Sequence, residues 1–312
     1  MKKERIVNFK TKKVTRVNRN LNGRDNVDGW IFMLPMLILL YLFVWRSTVM
    51  GGVWSFFKMK GFTPVGFAGM QNYKAVLTNT NFLPILGNTV EYVIWSFIVG
   101  FLPPLFIAIA LNEVMHFKNG FRVLIYLPAV VPGIVVMVLW QNIFKGGETG
   151  LLNMLLSHFG VEAQKWLSNP DFVILGIIIA TTWSGCPGTM LLYYAALQGV
   201  SVEVYEAAII DGAGPFRRLW HVTRPAVEGL LLLQIVRQII SIFQILDQPM
   251  QMTGGGPNGA STSLSYQLYQ YAFNSGGKGV GQAMALGTII FLILLLLTLF
   301  YFVLNKKIED RY

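Results

Sequence analysis

Met284-Ala-Leu-Gly-Thr-Ile-Ile-Phe-Leu-Ile-Leu-Leu-Leu-Leu-Thr-Leu-Phe-Tyr-Phe-Val-Leu304 is a run without a charged side chain, and it shows neither the two-residue nor the four-residue alternation of a half-exposed element. About 20 such residues are what a helix needs to cross about 30 Å of hydrocarbon. Five further stretches approach that requirement, at approximately 30–50, 88–111, 122–144, 172–197 and 226–247. Composition agrees: of 312 residues, 54% are hydrophobic and 13% charged, where soluble domains carry roughly 25% charged residues. The expected fold is an all-α integral membrane protein of six transmembrane helices occupying residues 30–304, with lipid as its solvent.

Charge sets the expected orientation. The net charge is +10, but nine of the 25 Lys and Arg lie in the first 24 residues, beside the first apolar run. This is a topology signal and not a nucleic-acid surface. Without a small-residue cleavage site before Arg46, the first run reads as a retained signal anchor. The positive-inside rule then makes 1–29, 112–121, 198–225 and 305–312 cytoplasmic, in a multi-pass membrane protein with both termini inside. Arg217, Arg218 and Arg224 in the longest inner loop agree, whereas Lys58, Lys60 and Lys74 in the outer segment 51–87 run against the rule. Outer stretches such as Thr253-Gly-Gly-Gly-Pro-Asn-Gly259 and Ser275-Gly-Gly-Lys-Gly-Val-Gly281 read as turns and flexible connections. No soluble domain fits between two spans, and six spans are few for a complete pathway, so a partner is expected.

Several chemistries are missing. Gly279 stands where a phosphate-binding loop needs Ser or Thr after Lys278, so no ATP site is expected in this chain. His116, His158 and His221 are isolated in loops, and a lone cysteine, Cys186, excludes an intrachain disulfide and reads as a packing residue. Thr182-Trp-Ser-Gly185 puts a serine in a span, but no span holds a histidine to take its proton. No cofactor, metal or catalytic residue is expected.

Between the fourth and fifth spans lies Ser201-Val-Glu-Val-Tyr-Glu-Ala-Ala-Ile-Ile-Asp-Gly-Ala-Gly-Pro-Phe-Arg-Arg-Leu-Trp-His-Val-Thr-Arg-Pro225. Ser201 is a suitable N-cap, Glu203 favours the first turn, and Ala207 and Ala208 favour helix. Asp211-Gly212 stops it, and Pro215 opens a second short helix through Val222. By periodicity alone this elbow is equally an amphipathic connector on the inner membrane surface, to which Phe216, Leu219 and Trp220 are suited.

The same residues resemble the signature loop of ABC importer permeases: Glu206-Ala207-Ala208, Gly212 four positions on, then Val222 and Pro225. Arg224 stands where that family usually has leucine. The resemblance extends over nearly the whole chain after the tail and is closest to the maltose-like branch of oligosaccharide and glycerol-phosphate permeases. Gly69-Met-Gln-Asn-Tyr73, Asn88-Thr89, Gly150-Leu-Leu-Asn153, Ala196-Leu-Gln-Gly199, Asp211-Gly-Ala213 and Thr253-Gly-Gly-Gly-Pro257 follow its order. What this implies is a permease subunit forming half of a pathway for a sugar or oligosaccharide. Its 201–225 elbow would be a coupling helix seated on a cytoplasmic ATPase dimer through Glu206, Ala207, Ala208, Asp211, Gly212, Ala213 and Pro225. The further implied partners are a second homologous permease and an extracytoplasmic solute-binding protein.

Span five is the most polar, with Gln234, Arg237, Gln238, Ser241, Gln244 and Asp247 spaced so that most share one helical face. An arginine in mid-span costs roughly 2.5–3.5 kcal/mol on insertion scales and must face protein or water. Two readings stay open: an ion pair to a carboxylate such as Glu91 or one of a partner chain, or a stripe lining the solute pathway, as span five does in the family it resembles. The rival classes for the whole chain are an ion-coupled secondary transporter and a non-transporting membrane scaffold.

Overall fold

The computed structural model describes residues 23–309 apart from 114–117. The basic tail through residue 22, His116 and the last three residues lie outside the described part. The chain divides into two compact units, residues 1–50 and 51–312. In the first, Gly23–Leu39 continues through a π-helical turn, Leu40–Trp45, into Arg46–Trp54, and its apolar side chains are exposed.

Among the described residues, four helices are long and apolar enough to cross a membrane by themselves: Gly29–Trp54, Phe82–Asn112, Pro170–Gln198 and Val280–Val303. Two bent pairs raise the count to six if each is one crossing. The third expected span, 122–144, is one of these and not a single straight helix, since its halves Val123–Val130 and Gly133–Ile143 meet at 102°. Pro132 is the cause: it has no N–H for the helix ladder and is itself extended, at φ −55° and ψ 137°. The fifth is the other, with Phe216–Thr223 and Val227–Phe243 at 85° across Pro225.

The fifth helix, Arg224–Phe243, also stops before the expected residue 247. A continuous ladder would require Pro249 to donate to the Ile245 carbonyl, and proline cannot. Instead Ser263 Oγ donates to Ile245 O at 2.6 Å and Ser265 Oγ to Phe243 O at 2.8 Å, satisfying carbonyls that a helix end leaves open. A separate helix, Asp247–Met252, follows.

The helix Pro170–Gln198 is central. Its N-terminal half packs Val173, Ile174, Ile177 and Ile178 with Tyr92, Val136 and Ile242, and its C-terminal half packs Met190, Tyr193 and Leu197 with Ala108, Leu111 and Val227. A third cluster joins Tyr73, Val76, Ile85 and Phe243 to Leu286 and Ile290 of the last helix.

The segments expected outside depart from an all-α chain. Phe57–Lys60 pairs antiparallel with Thr63–Phe67. Alternation explains it, because Phe57 and Met59 turn inward while Lys58 and Lys60 turn out. Nor is the glycine-rich segment after Thr253 a loose connection. Asn88 Nδ2 donates to the carbonyls of Gly259 and Thr262, Tyr92 Oη donates to Ser261 O, and Ser261 and Ser263 are fully buried.

Candidate functional site

The elbow forms a short helix, Val202–Ile210, and a second, Pro215–Arg218, which runs through a π-helical turn, Leu219–Thr223, into the 224–243 helix. Ser201 occupies the N-cap position, but its hydroxyl donates to Glu203 Oε2 at 2.9 Å and does not cap a backbone N–H. A charged carboxylate is the stronger partner for the hydroxyl. The C-terminal end follows the expectation. Gly212 has φ +75°, its N–H donates to Ile209 O, and the Ala213 N–H reaches back to Ala208 O, each at 2.9 Å. This pair of bonds is the Schellman ending, which needs a left-handed residue at the position of Gly212. Tyr205 Oη and Thr223 Oγ1, 2.9 Å apart, tie the two arms together. Arg224 lies 4.3 Å above the Trp220 ring and 4.0 Å from Glu228.

The elbow buries little of itself. Glu206, Ala207, Asp211, Gly212 and Pro225 are exposed, Ala208 and Ala213 half-buried, and Ile210 and Phe216 are 86% and 88% exposed. A stiff bend with bare apolar tips is suited to seating in a partner.

The polar stripe divides. Gln234, Arg237, Gln238 and Ser241 line one cleft of about 210 Å³ between the 82–95 helix with its π-helical extension Ser96–Phe101, the 170–198 helix and the 224–243 helix. Gln244 and Asp247 are absent from it: Gln244 is the C-cap and Asp247 begins the next helix. Gln234 is 4% exposed and its Nε2 has no hydrogen-bond partner, whereas Arg237 is exposed. The expected alternative pairing with Glu91 is not formed. Glu91 Oε1 instead accepts from Trp95 Nε1 at 3.2 Å, and Arg224–Glu228 is the only salt bridge among the described residues.

Sequence reasoning missed the opposite wall, made by Ser96, Gly100, Thr181, Thr182, Cys186 and Thr189. Cys186, expected to be a packing residue, is half-exposed there. These small residues sit in runs too apolar for a polar face to show. Gly100 matters through what it lacks: an added Cβ would stand 3.0 Å from Gln238 Nε2 and 3.4 Å from Thr182 Oγ1. The three helices meet there because one has no side chain.

Residues 104–312 match the family described as the binding-protein-dependent transport system inner membrane component. The chain belongs to this family. It is 32% identical over 274 residues to the trehalose/maltose transport system permease protein MalF of Thermococcus litoralis, covering 87% of this chain and 92% of that protein. To the multiple sugar-binding transport system permease protein MsmF of Streptococcus mutans it is 30% identical over 284 residues, covering 90% and 96%. In fold it resembles a chain of a bacterial alginate ABC transporter solved in complex with its alginate pentasaccharide-bound periplasmic protein. The TM-score is 0.80 at 20% identity, over 91% of this chain and 96% of that one. The membership covers the signature elbow and both bent pairs, and the relatives are sugar ABC transport permeases.

Proposed function

We propose that this permease supplies half of the translocation pathway of an ATP-driven importer for a sugar or oligosaccharide, driven through the 201–225 elbow. The observation that carries the reading is the elbow itself: a helix of nine residues ended by a left-handed glycine and cross-tied through Tyr205 and Thr223 to a second arm, which turns by 85° into the helix that lines the polar cleft. A stiff lever joined to a pathway helix is what converts movement of a partner into reorientation of the pathway. A second homologous permease covers the cleft on its open side, two cytoplasmic ATPase subunits hold the elbows, and a solute-binding protein delivers cargo outside. The sugar class rests on the names of the relatives and on the hydroxyl and amide lining of the cleft. Six crossings with both termini cytoplasmic complete the reading: the pair Val123–Val130 and Gly133–Ile143 is one crossing, and in the second pair Val227–Phe243 crosses while Phe216–Thr223 stays with the elbow.

Reconstitution tests it. Proteoliposomes holding the chain with the permease, ATPase and binding protein encoded beside it should accumulate sugar only when ATP is present on the elbow side. Uptake by the chain alone on an ion gradient would establish a secondary transporter instead.

A further inference from the structure

The polar cleft carries one permanent charge, Arg237, with no carboxylate paired to it among the described residues. The helical segments lining it hold three carboxylates, and each is elsewhere engaged or remote. Glu91 accepts from Trp95, Glu228 faces Arg224, and Asp171 opens the first turn of the 170–198 helix beside Asn169. Among the described residues none comes within ion-pair distance of Arg237. Arg237 lies six residues before the end of its helix at Phe243, about 9 Å into the span at 1.5 Å per residue. A guanidinium at that depth is retained against a substantial insertion cost. On the same cleft, the buried Gln234 amide has an unused donor, and Thr181, Thr182, Thr189, Ser96 and Ser241 add hydroxyls.

We infer that the cleft binds an acidic saccharide, with Arg237 pairing to a sugar carboxylate while Gln234, Gln238 and the threonine wall take neighbouring hydroxyls. The fixed fork of a guanidinium fits a carboxylate with two parallel N–H donors. A single guanidinium balances a single carboxylate, whereas a phosphate ester, with charge near −1.5 to −2 at neutral pH, would call for a second cation. The lining holds no other charged residue. Closing of the cleft by a second subunit strengthens the pair by removing water. The assignment rests on the proposed pathway and adds the charge class of its cargo.

The test is equilibrium binding to the assembled importer in nanodiscs, without binding protein, using maltotriose and trigalacturonate as neutral and acidic trisaccharides. Wild type should favour trigalacturonate about tenfold or more, the scale of one hydrogen bond to a charged group, and raised salt should shrink the preference. Arg237→Gln should bring the ratio of the two affinities to about one, and Arg237→Lys should restore part of it. A wild type without acidic preference, or an unchanged ratio in Arg237→Gln, overturns the inference. Where Arg237→Gln fails to assemble and wild type shows no preference, Arg237 is the partner of a carboxylate in the second permease. Gln234→Leu separates the two claims. If it weakens both probes while the acidic preference is missing, the pathway stands and the charge assignment falls; if it weakens neither, the cleft is not the pathway.

Discussion

Gly212 shows how one residue decides whether the elbow can be built. Its φ of +75° lies where a side chain is penalised by about 1 kcal/mol or more. Yet an added Cβ meets nothing within 4 Å, so the penalty comes from the backbone and not from packing within this chain. That separates three substitutions. Gly212→Asn tolerates the left-handed region and should retain most coupling, Gly212→Asp adds an unwanted charge at the tip, and Gly212→Val, β-branched, should be worst. Copurification of the ATPase and its stimulation by loaded binding protein measure the order; equal, normal stimulation in all three would reduce the elbow to a surface connector. Glu206→Ala, which removes an exposed charge and leaves the bend, should act in the same direction but more mildly.

At the scale of the element, the 224–243 helix has a polar face that is continuous in sequence but not in space. Gln234 lines the cleft, whereas Gln244 has left the helix as its C-cap. Gln234→Leu should lower uptake several-fold while leaving assembly and basal ATP hydrolysis intact, and Gln244→Leu should change uptake little. Stability distinguishes a pathway role from a packing role. The Gln234 Nε2 is buried without a partner, a condition worth about 1–3 kcal/mol against the fold, so Gln234→Leu should match or exceed wild type in thermal unfolding. A destabilised variant with matching loss of transport would make Gln234 a packing residue.

For the whole molecule, the proposed orientation rests on the basic tail, the elbow arginines and the number of crossings. Accessibility tags at residues 5, 212 and 309 should react from the cytoplasm, and tags at 75, 160 and 258 from outside, if each bent pair is one crossing. The decisive pair is 258 and 309: both on one side would mean that the last helix does not cross. The six lysines of the proposed outer segments, Lys58, Lys60, Lys74, Lys145, Lys165 and Lys278, are all exposed and run against the rule, but the larger basic bias lies in the tail and the elbow.

Sequence by itself was enough for the membrane class, the approximate positions of the long helices, the stop at Gly212 and the family resemblance. These properties are carried by consecutive residues: apolar run length, a glycine free to take positive φ, and motif order. Tertiary structure alone decided which polar residues meet. Gln234 to Ser241 acquire an opposite wall of small residues from two other helices, and Gly100 lets those helices approach. The same holds for the helix ends, because carbonyls freed before Pro249 are taken by Ser263 and Ser265, about 20 residues away in the chain. An apolar run records that a helix is solvated by lipid or protein. It does not record which neighbour packs against which face, and the polar cleft exists only in that neighbour relation.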